Sequence, residues 1–359
     1  MKMAVSRVYF TAVGKNEPLE SVAKKVKLVY EKAGLSACIK KDALVGIKLH
    51  FGEKGNKGHL RPALVSSVVE AIKAQGGKPF LTDTNTLYAG ERSNAVDHLH
   101  QAEAHGFSMR EVGAPVIISD GLIGRNEIRV KIPGVHFSHL PISAEVVSAN
   151  ALIAMAHVTG HLATGLGGAI KNVGMGCATR KGKMVQHSDM KPAVKPKVCT
   201  RCGECVQWCP VQAITLEATA ALIDSGVCIG CGECLAVCRY GAIEYNWKTS
   251  SRMLQEKMAE YAYGAIIMKK EKVGFMNFLL YITKDCDCMG DTGKPVCEDI
   301  GILASRDIVA VDAASLDLIG ERAGKTLRAL AYPKIDETIQ LRHGEHIGMG
   351  TMKYELEEV

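Results

Sequence analysis

The sequence predicts an α/β architecture: a mixed or mostly parallel sheet built by both flanks of the chain, with a small cysteine-rich α+β module set between them. Three observations lead there. Apolar runs of strand length alternate with helix-period segments on both sides of the middle. At about residue 190 that alternation stops at a proline-bearing stretch, MKPAVKPK. Between residues 199 and 245, eight cysteines then recur at short, regular spacing.

The elements follow in order. Segment 18–33, PLESVAKKVKLVYEKA, has helical apolar spacing, and 44–51, LVGIKLHF, reads as a mostly buried strand. A glycine-rich charged loop, GEKGNKGHLRP, precedes a helix over 63–74 with Pro62 at its first turn. Gly76 and Gly77 stop that helix before a strand at 78–83, which makes a βαβ unit and implies parallel pairing. Residues 94–106 read as a helix, 115–120 and 126–132 as strands, 143–149 as a short helix and 151–158 as a buried strand. After Asn246 the pattern resumes: a helix over SRMLQEKMAEYAYGAIIMKK, a strand at 274–283, and a strand running into a helix over 307–324. The expected organisation is residues 1–190 and 248–359 as two parts of one α/β domain, with 191–247 inserted.

Composition narrows the function classes. A length of 359 residues suits about two domains. The net charge is +6, yet aromatics are only 5% and no Lys/Arg block is interleaved with stacking rings, so a nucleic-acid partner is not expected. No apolar run reaches the ~20 residues that span a bilayer. The N-terminus, MKMAVSRVYFTAVG, has no apolar signal core. Thirteen cysteines in so large a chain point to a reduced, cytoplasmic setting and not to a secreted disulfide framework.

The first cysteine quartet is Cys199, Cys202, Cys205 and Cys209; the second is Cys228, Cys231, Cys234 and Cys238. Each has C-x2-C-x2-C-x3-C spacing, and CTRCGECVQWCPVQAI aligns with CIGCGECLAVCRYGAI without a gap. Zinc sites favour two separated C-x2-C pairs and do not require a third cysteine at the same interval. In the bacterial ferredoxin pattern the remote fourth cysteine ligates the other cluster. That predicts two [4Fe-4S] clusters, one on Cys199, Cys202, Cys205 and Cys238, the other on Cys228, Cys231, Cys234 and Cys209.

Four further stretches carry a family resemblance: VGIKLHFGEKGNKGHLRP, PFLTDTNTLYAGERSNAVDHL, HVTGHLATGLGGAIKNVGMGCATRKGKMVQHS and CDCMGDTGKPVCEDIGILASRDIVAVDAASLDL. Over nearly its whole length the chain resembles the DUF362 family of uncharacterised iron–sulfur proteins, in the branch with an inserted ferredoxin domain. The resemblance implies a redox role and little about the reaction.

Three candidate sites lie in the α/β part. Lys48 and His50 alternate on one strand and share a face, while Asn85 and Arg92 follow the strand 78–83, where open α/β sheets bind ligands. The loop of Thr164, Gly165, Gly167 and Gly168, with Lys171 after it, suits a phosphate-bearing cofactor such as a flavin. Cys286, Cys288 and Cys297 form a third group, for metal or thiol chemistry, with Cys177 or His187 as a candidate fourth ligand. The expected function is an iron–sulfur oxidoreductase. It takes electrons from a redox partner protein through two clusters to a small-molecule acceptor, with Lys48, His50, Asn85, Arg92 and Lys171 binding or protonating that acceptor. The alternative is an electron carrier or metallocofactor-assembly protein without its own substrate.

Overall fold

The computed structural model describes residues 5–88, 90–187, 192–228, 230–244 and 250–359. Its centre is an eight-stranded sheet in the order Tyr354–Glu358, Ser6–Ala12, Gly301–Ser305, Val273–Leu279, Ala151–His157, Leu44–Lys48, Lys78–Asp83, Val116–Ile118. Every neighbouring pair is parallel except those made by Gly301–Ser305, which runs against both its neighbours. The sheet is therefore mixed and mostly parallel. Its strands come from both sides of the cysteine-rich segment.

The two middle strands, Ala151–His157 and Val273–Leu279, are buried at every position. Continuous apolar runs of this kind belong to strands covered on both faces. Alternate residues serve opposite faces. Leu152 and Ala154 join one apolar core, and Ala151, Ile153 and Met155 join the other. Helices Ala169–Gly176, Ser251–Ile267 and Ile308–Ala323 pack on the first face through Ile170, Val173, Met258 and Val311. Helices Leu19–Lys32 and Pro62–Ala74 cover the second through Val26, Val29, Val65 and Val68.

Several expected elements shift. The segment 307–324 holds no strand: Asp307 caps Val309 N (2.9 Å) and Ala310 N (3.0 Å), and Ile308–Ala323 is helix throughout. Ten of those sixteen residues are buried, which erases the one-sided period that marks a surface helix. The strand precedes it, at Gly301–Ser305. Glu127–Lys131 is outside the main sheet and pairs with His139–Ser143 as a separate hairpin. Ser6–Ala12 and Tyr354–Glu358 were not expected as strands. The latter is a largely exposed edge, and its glutamates blunt further strand pairing.

The middle segment consists of two two-stranded antiparallel pairs and the short helices Glu204–Gln207 and Glu233–Val237. Its apolar cluster, with Ile214, Ala221, Leu235 and Ile243, is completed by Leu87 and Met184 from the α/β part. The segment thus shares its core with the sheet domain, and among the described residues no distinct inserted ferredoxin-like module stands apart. The boundaries expected at 190–191 and 247–248 lie outside the described residues, as do Met190 and Lys191 of the expected linker. Among the described residues, no helix is long and apolar enough to cross a membrane.

Candidate active site

The parallel strands direct their carboxyl ends to one side of the sheet, where Lys48, Asp83 and His157 end their strands. Asp83 is the hub of a buried ionic lattice. Its Oδ1 lies 3.2 Å from Lys48 Nζ and its Oδ2 lies 3.3 Å from Arg92 Nη1. Arg92 also pairs with Glu53 at 3.3 Å and donates to the Tyr88 hydroxyl at 2.5 Å. Burial alone would raise the Asp83 carboxyl, but the cations Lys48 and Arg92 and the nearby His98 outweigh it and hold its pKa below the ordinary value. Deeper still, Asp120 accepts from Asn85 N (3.0 Å) and Nδ2 (2.8 Å), while Lys183 donates to Asn85 O at 2.6 Å. Burial pushes Asp120 up and Lys183 down.

The lattice supports a thiol loop. The Tyr88 hydroxyl, receiving Arg92, donates to Cys288 O at 3.1 Å. From the loop after Leu44–Lys48, Glu53 N donates to Asp287 O (3.0 Å) and Asn56 Nδ2 to Met289 O (3.0 Å). Asp287 faces His157, whose Nδ1 lies 3.0 Å from both carboxylate oxygens and whose Nε2 lies 2.9 Å from Leu280 O. All of those partners are acceptors, so both ring nitrogens donate and the ring is an imidazolium. Burial opposes that charge, but Asp287 and the carbonyls outweigh it and raise the His157 pKa.

Cys286 and Cys288, on either side of Asp287, are joined as a disulfide. One ligand atom of His161 and both sulfurs lie within 4.8 Å of one another. Lys171 Nζ is 3.4 Å from Cys286 Sγ. Among the described residues, no carboxylate pairs with Lys171. Burial lowers its pKa to about 8, with Arg92 and Lys48 adding to the effect and Asp287 opposing it. His161 Nδ1 lies 3.1 Å from Thr164 N and 2.9 Å from Thr164 Oγ1, and that hydroxyl donates to Leu166 O at 2.9 Å. Ala163 N also donates to Nδ1 at 3.3 Å, so Nδ1 presents its lone pair to two amides and the neutral ring carries its hydrogen on Nε2.

The structure divides the expected residues. Lys48, Asn85 and Arg92 are buried, and their donors are committed to protein partners. His50 is partly exposed and accepts from Gly52 N at 3.0 Å. Burial, with Arg92 and Lys171 nearby, holds His50 well below its usual pKa and keeps it neutral. The expected flavin or other phosphate cofactor at Thr164, Gly165, Gly167, Gly168 and Lys171 is corrected. The amides that would cradle phosphate, Ala169 N and Ile170 N, donate to Asp312 at 2.7 and 2.9 Å. A Cβ on Gly168 would meet the same carboxylate at 2.4 Å, so the helix N-terminus is filled from within. Cys297 stands apart from the thiol pair, lining a surface cavity with Lys15, Tyr281 and Glu298. Cys177 is buried with its thiol pushed up to about 12, and among the described residues neither it nor His187 joins a group of three or more ligands.

The eight clustered cysteines surround two cavities, Cys199, Cys202, Cys205 and Cys238 at one and Cys209, Cys228, Cys231 and Cys234 at the other. The two [4Fe-4S] clusters expected there are corrected by the ligand geometry. Among the described residues, the groups of three or more ligands converging within 4.8 Å are His161–Cys286–Cys288 and His136–Glu256–His343, and neither draws on the quartets. The electron-relay oxidoreductase, its electron-carrier or assembly alternative, and the ferredoxin branch of the resemblance lose their centre with them. The sequence reading missed His161 as the partner of Cys286 and Cys288, because 125 residues separate them and only the sheet brings them together.

A family model described as "Domain of unknown function (DUF362)" matches residues 45–317. No curated protein matches the chain. Among solved structures, the lactate racemase apoprotein from Thermoanaerobacterium thermosaccharolyticum aligns at 11% identity with a TM-score of 0.44, over 88% of this chain and 57% of that one. The chain spans a little over half of that structure's length, and likeness at this level carries no argument about chemistry.

Proposed function

The chain belongs to the DUF362 family, whose description assigns no activity, and we propose from the site itself that it is a metal-dependent enzyme acting by proton transfer on a small anionic substrate. The observation that carries this reading is the convergence of two sulfurs and an imidazole within 4.8 Å, beside Lys171, at the carboxyl ends of parallel strands. Reduction of the Cys286–Cys288 disulfide by two electrons and two protons frees both thiols, and metal binding then releases the two protons. Two thiolates and one imidazole suit zinc, and three protein ligands leave a fourth position open, as catalytic zinc sites do. An ion there supplies Lewis acidity toward a substrate oxygen. Lys171, without a carboxylate partner among the described residues, attracts an anion, and near neutral pH it can hold or release a proton. The imidazolium of His157 fixes Asp287, and with it the loop that presents both sulfurs.

The reading is tested on the full-length chain by zinc titration before and after reduction with dithiothreitol. The reduced chain should take up one more zinc at this site than the oxidised one, and equal uptake would refute it. The Lys171 environment has its own check. A pKa near 8 instead of the usual ~10.4 makes the neutral amine about 10² times more abundant at pH 7. Amine labelling followed by peptide mass spectrometry should place the midpoint of Lys171 reactivity near pH 8, whereas surface lysines stay protonated there. A midpoint above 10 would remove Lys171 as the proton-transfer group.

The grouping of the clustered thiols is offered as a separate proposal: four around each cavity, as ligands of two thiol sites. Backbone N–H groups donate to the Cys199, Cys209, Cys228 and Cys238 sulfurs at 3.2–3.5 Å, two at each cavity, which fixes where those sulfurs point. Elemental analysis of anaerobically purified protein tests it, and metal-free protein with all eight thiols titratable would end it.

A further inference from the structure

A second group of ligands lies away from the thiol loop, where the hairpin Glu127–Lys131/His139–Ser143 folds its tip onto two helices. Glu260, in the helix Ser251–Ile267, is fully buried and accepts from the tip amides of Val135 (2.7 Å), His136 (2.9 Å) and Phe137 (2.9 Å). Only glycine permits this closure at position 134, because a Cβ there would meet Glu260 Oε2 at 2.3 Å and Phe137 O at 2.5 Å. The clamped tip turns His136 toward Glu256, one helical turn before Glu260, with Nε2 to Oε2 at 2.9 Å. From the helix Ile339–His346, His343 stacks near His136, with ring centroids 5.5 Å apart and planes at 27°. One ligand atom from each of His136, Glu256 and His343 falls within 4.8 Å of the others.

We propose that His136, Glu256 and His343 bind a divalent transition-metal ion, zinc by preference, which pins the hairpin tip to both helices. Two imidazoles and a carboxylate form a borderline donor set that suits zinc, and a water can complete the tetrahedron. The surrounding groups are those that steer such ligands. Glu260 lies 3.0 Å from His343 Nε2, and a histidine that donates one N–H to a carboxylate keeps its other nitrogen for the ion. Arg252 Nε holds Glu256 Oε1 at 2.8 Å, which leaves Oε2 turned toward the histidines. The site contains no thiol, so its ion does not depend on the redox state of the chain.

The test counts zinc equivalents on the reduced full-length chain by competition with a chromophoric chelator, comparing wild type with His136→Ala and Glu256→Gln. His136 is chosen because its side chain is partly exposed, whereas His343→Ala would strip a buried partner from Glu260. Each variant should lose one equivalent, with affinity reduced beyond the 10–100-fold that loss of an outer-shell partner produces. The zinc-induced rise in Tm should shrink with it. Cobalt gives a second readout. The equivalent lost in His136→Ala should carry visible ligand-field bands and no sulfur-to-cobalt charge transfer. A Cys286→Ser/Cys288→Ser chain should keep this equivalent, so failure here is distinct from failure at the thiol centre. Unchanged zinc stoichiometry and affinity in both variants, or loss of a thiolate-type cobalt spectrum, would overturn the proposal.

Discussion

Asp83→Ala is expected to cost about 3–5 kcal/mol of folding stability, the range for removing one partner from a buried ion network. The reason is what remains. Lys48 and Arg92 have side chains 1% and 2% exposed, and both face this carboxylate. Without it, Lys48 keeps only neutral oxygens, Leu49 O and Asn172 Oδ1, each at 2.8 Å, and Arg92 keeps Glu53. Against a typical total of 5–15 kcal/mol, such a loss leaves many molecules unfolded at moderate temperature. Asp83→Asn retains the shape and removes the charge, so it should cost nearly as much. The pH dependence follows from the lowered pKa of Asp83. Its stabilising share is complete above the ordinary carboxylate pKa and disappears as pH falls through the lower value of the folded state. Urea denaturation measures the effect, and a change under about 1 kcal/mol in both variants would mean that the lattice does not bear on stability.

The second large effect falls on the thiol loop. In the reduced chain, Cys286→Ser or Cys288→Ser should each weaken metal binding at this site by more than about 100-fold, because a neutral hydroxyl replaces a thiolate and two strong ligands remain of three. His161→Ala should lose the same equivalent. Cys297→Ser should keep it, since Cys297 lies outside the ligand group. Lys171→Met should keep the ion too, while abolishing the labelling midpoint near pH 8. Isothermal titration of the single-site variants separates these outcomes. If the Cys286→Ser/Cys288→Ser chain binds as tightly as the parent, the ion is held elsewhere and the proposed centre has no metal.

What could be read from the residues, and what could not, follows from the range of the forces involved. The strands 44–48, 78–83 and 151–157 and the helices 19–32 and 62–74 were legible because local period and burial coincide there. Only the start of Ile308–Ala323 was misread, as strand, because a helix buried on most sides loses its polar stripe; its helical continuation was legible. The phosphate cradle was a reasonable reading of Gly165, Gly167 and Gly168. It failed because Asp312, over 140 residues away in sequence, reaches the same amides first. Cys286 and Cys288 stood out by spacing alone, and Lys171 as a candidate for anion binding, but nothing local placed Lys171 or His161 beside the two sulfurs.

Local patterning thus settled the α/β class of the fold and the approximate edges of several strands and helices. Side-chain company was decided in three dimensions: Asp83 between two cations, Lys171 against a sulfur, His161 beside the Cys-x-Cys pair. The physical reason is that propensity and periodicity act over a few residues. Charge pairing, desolvation and ligand convergence act across space, and become defined only after the sheet has brought distant loops to one edge.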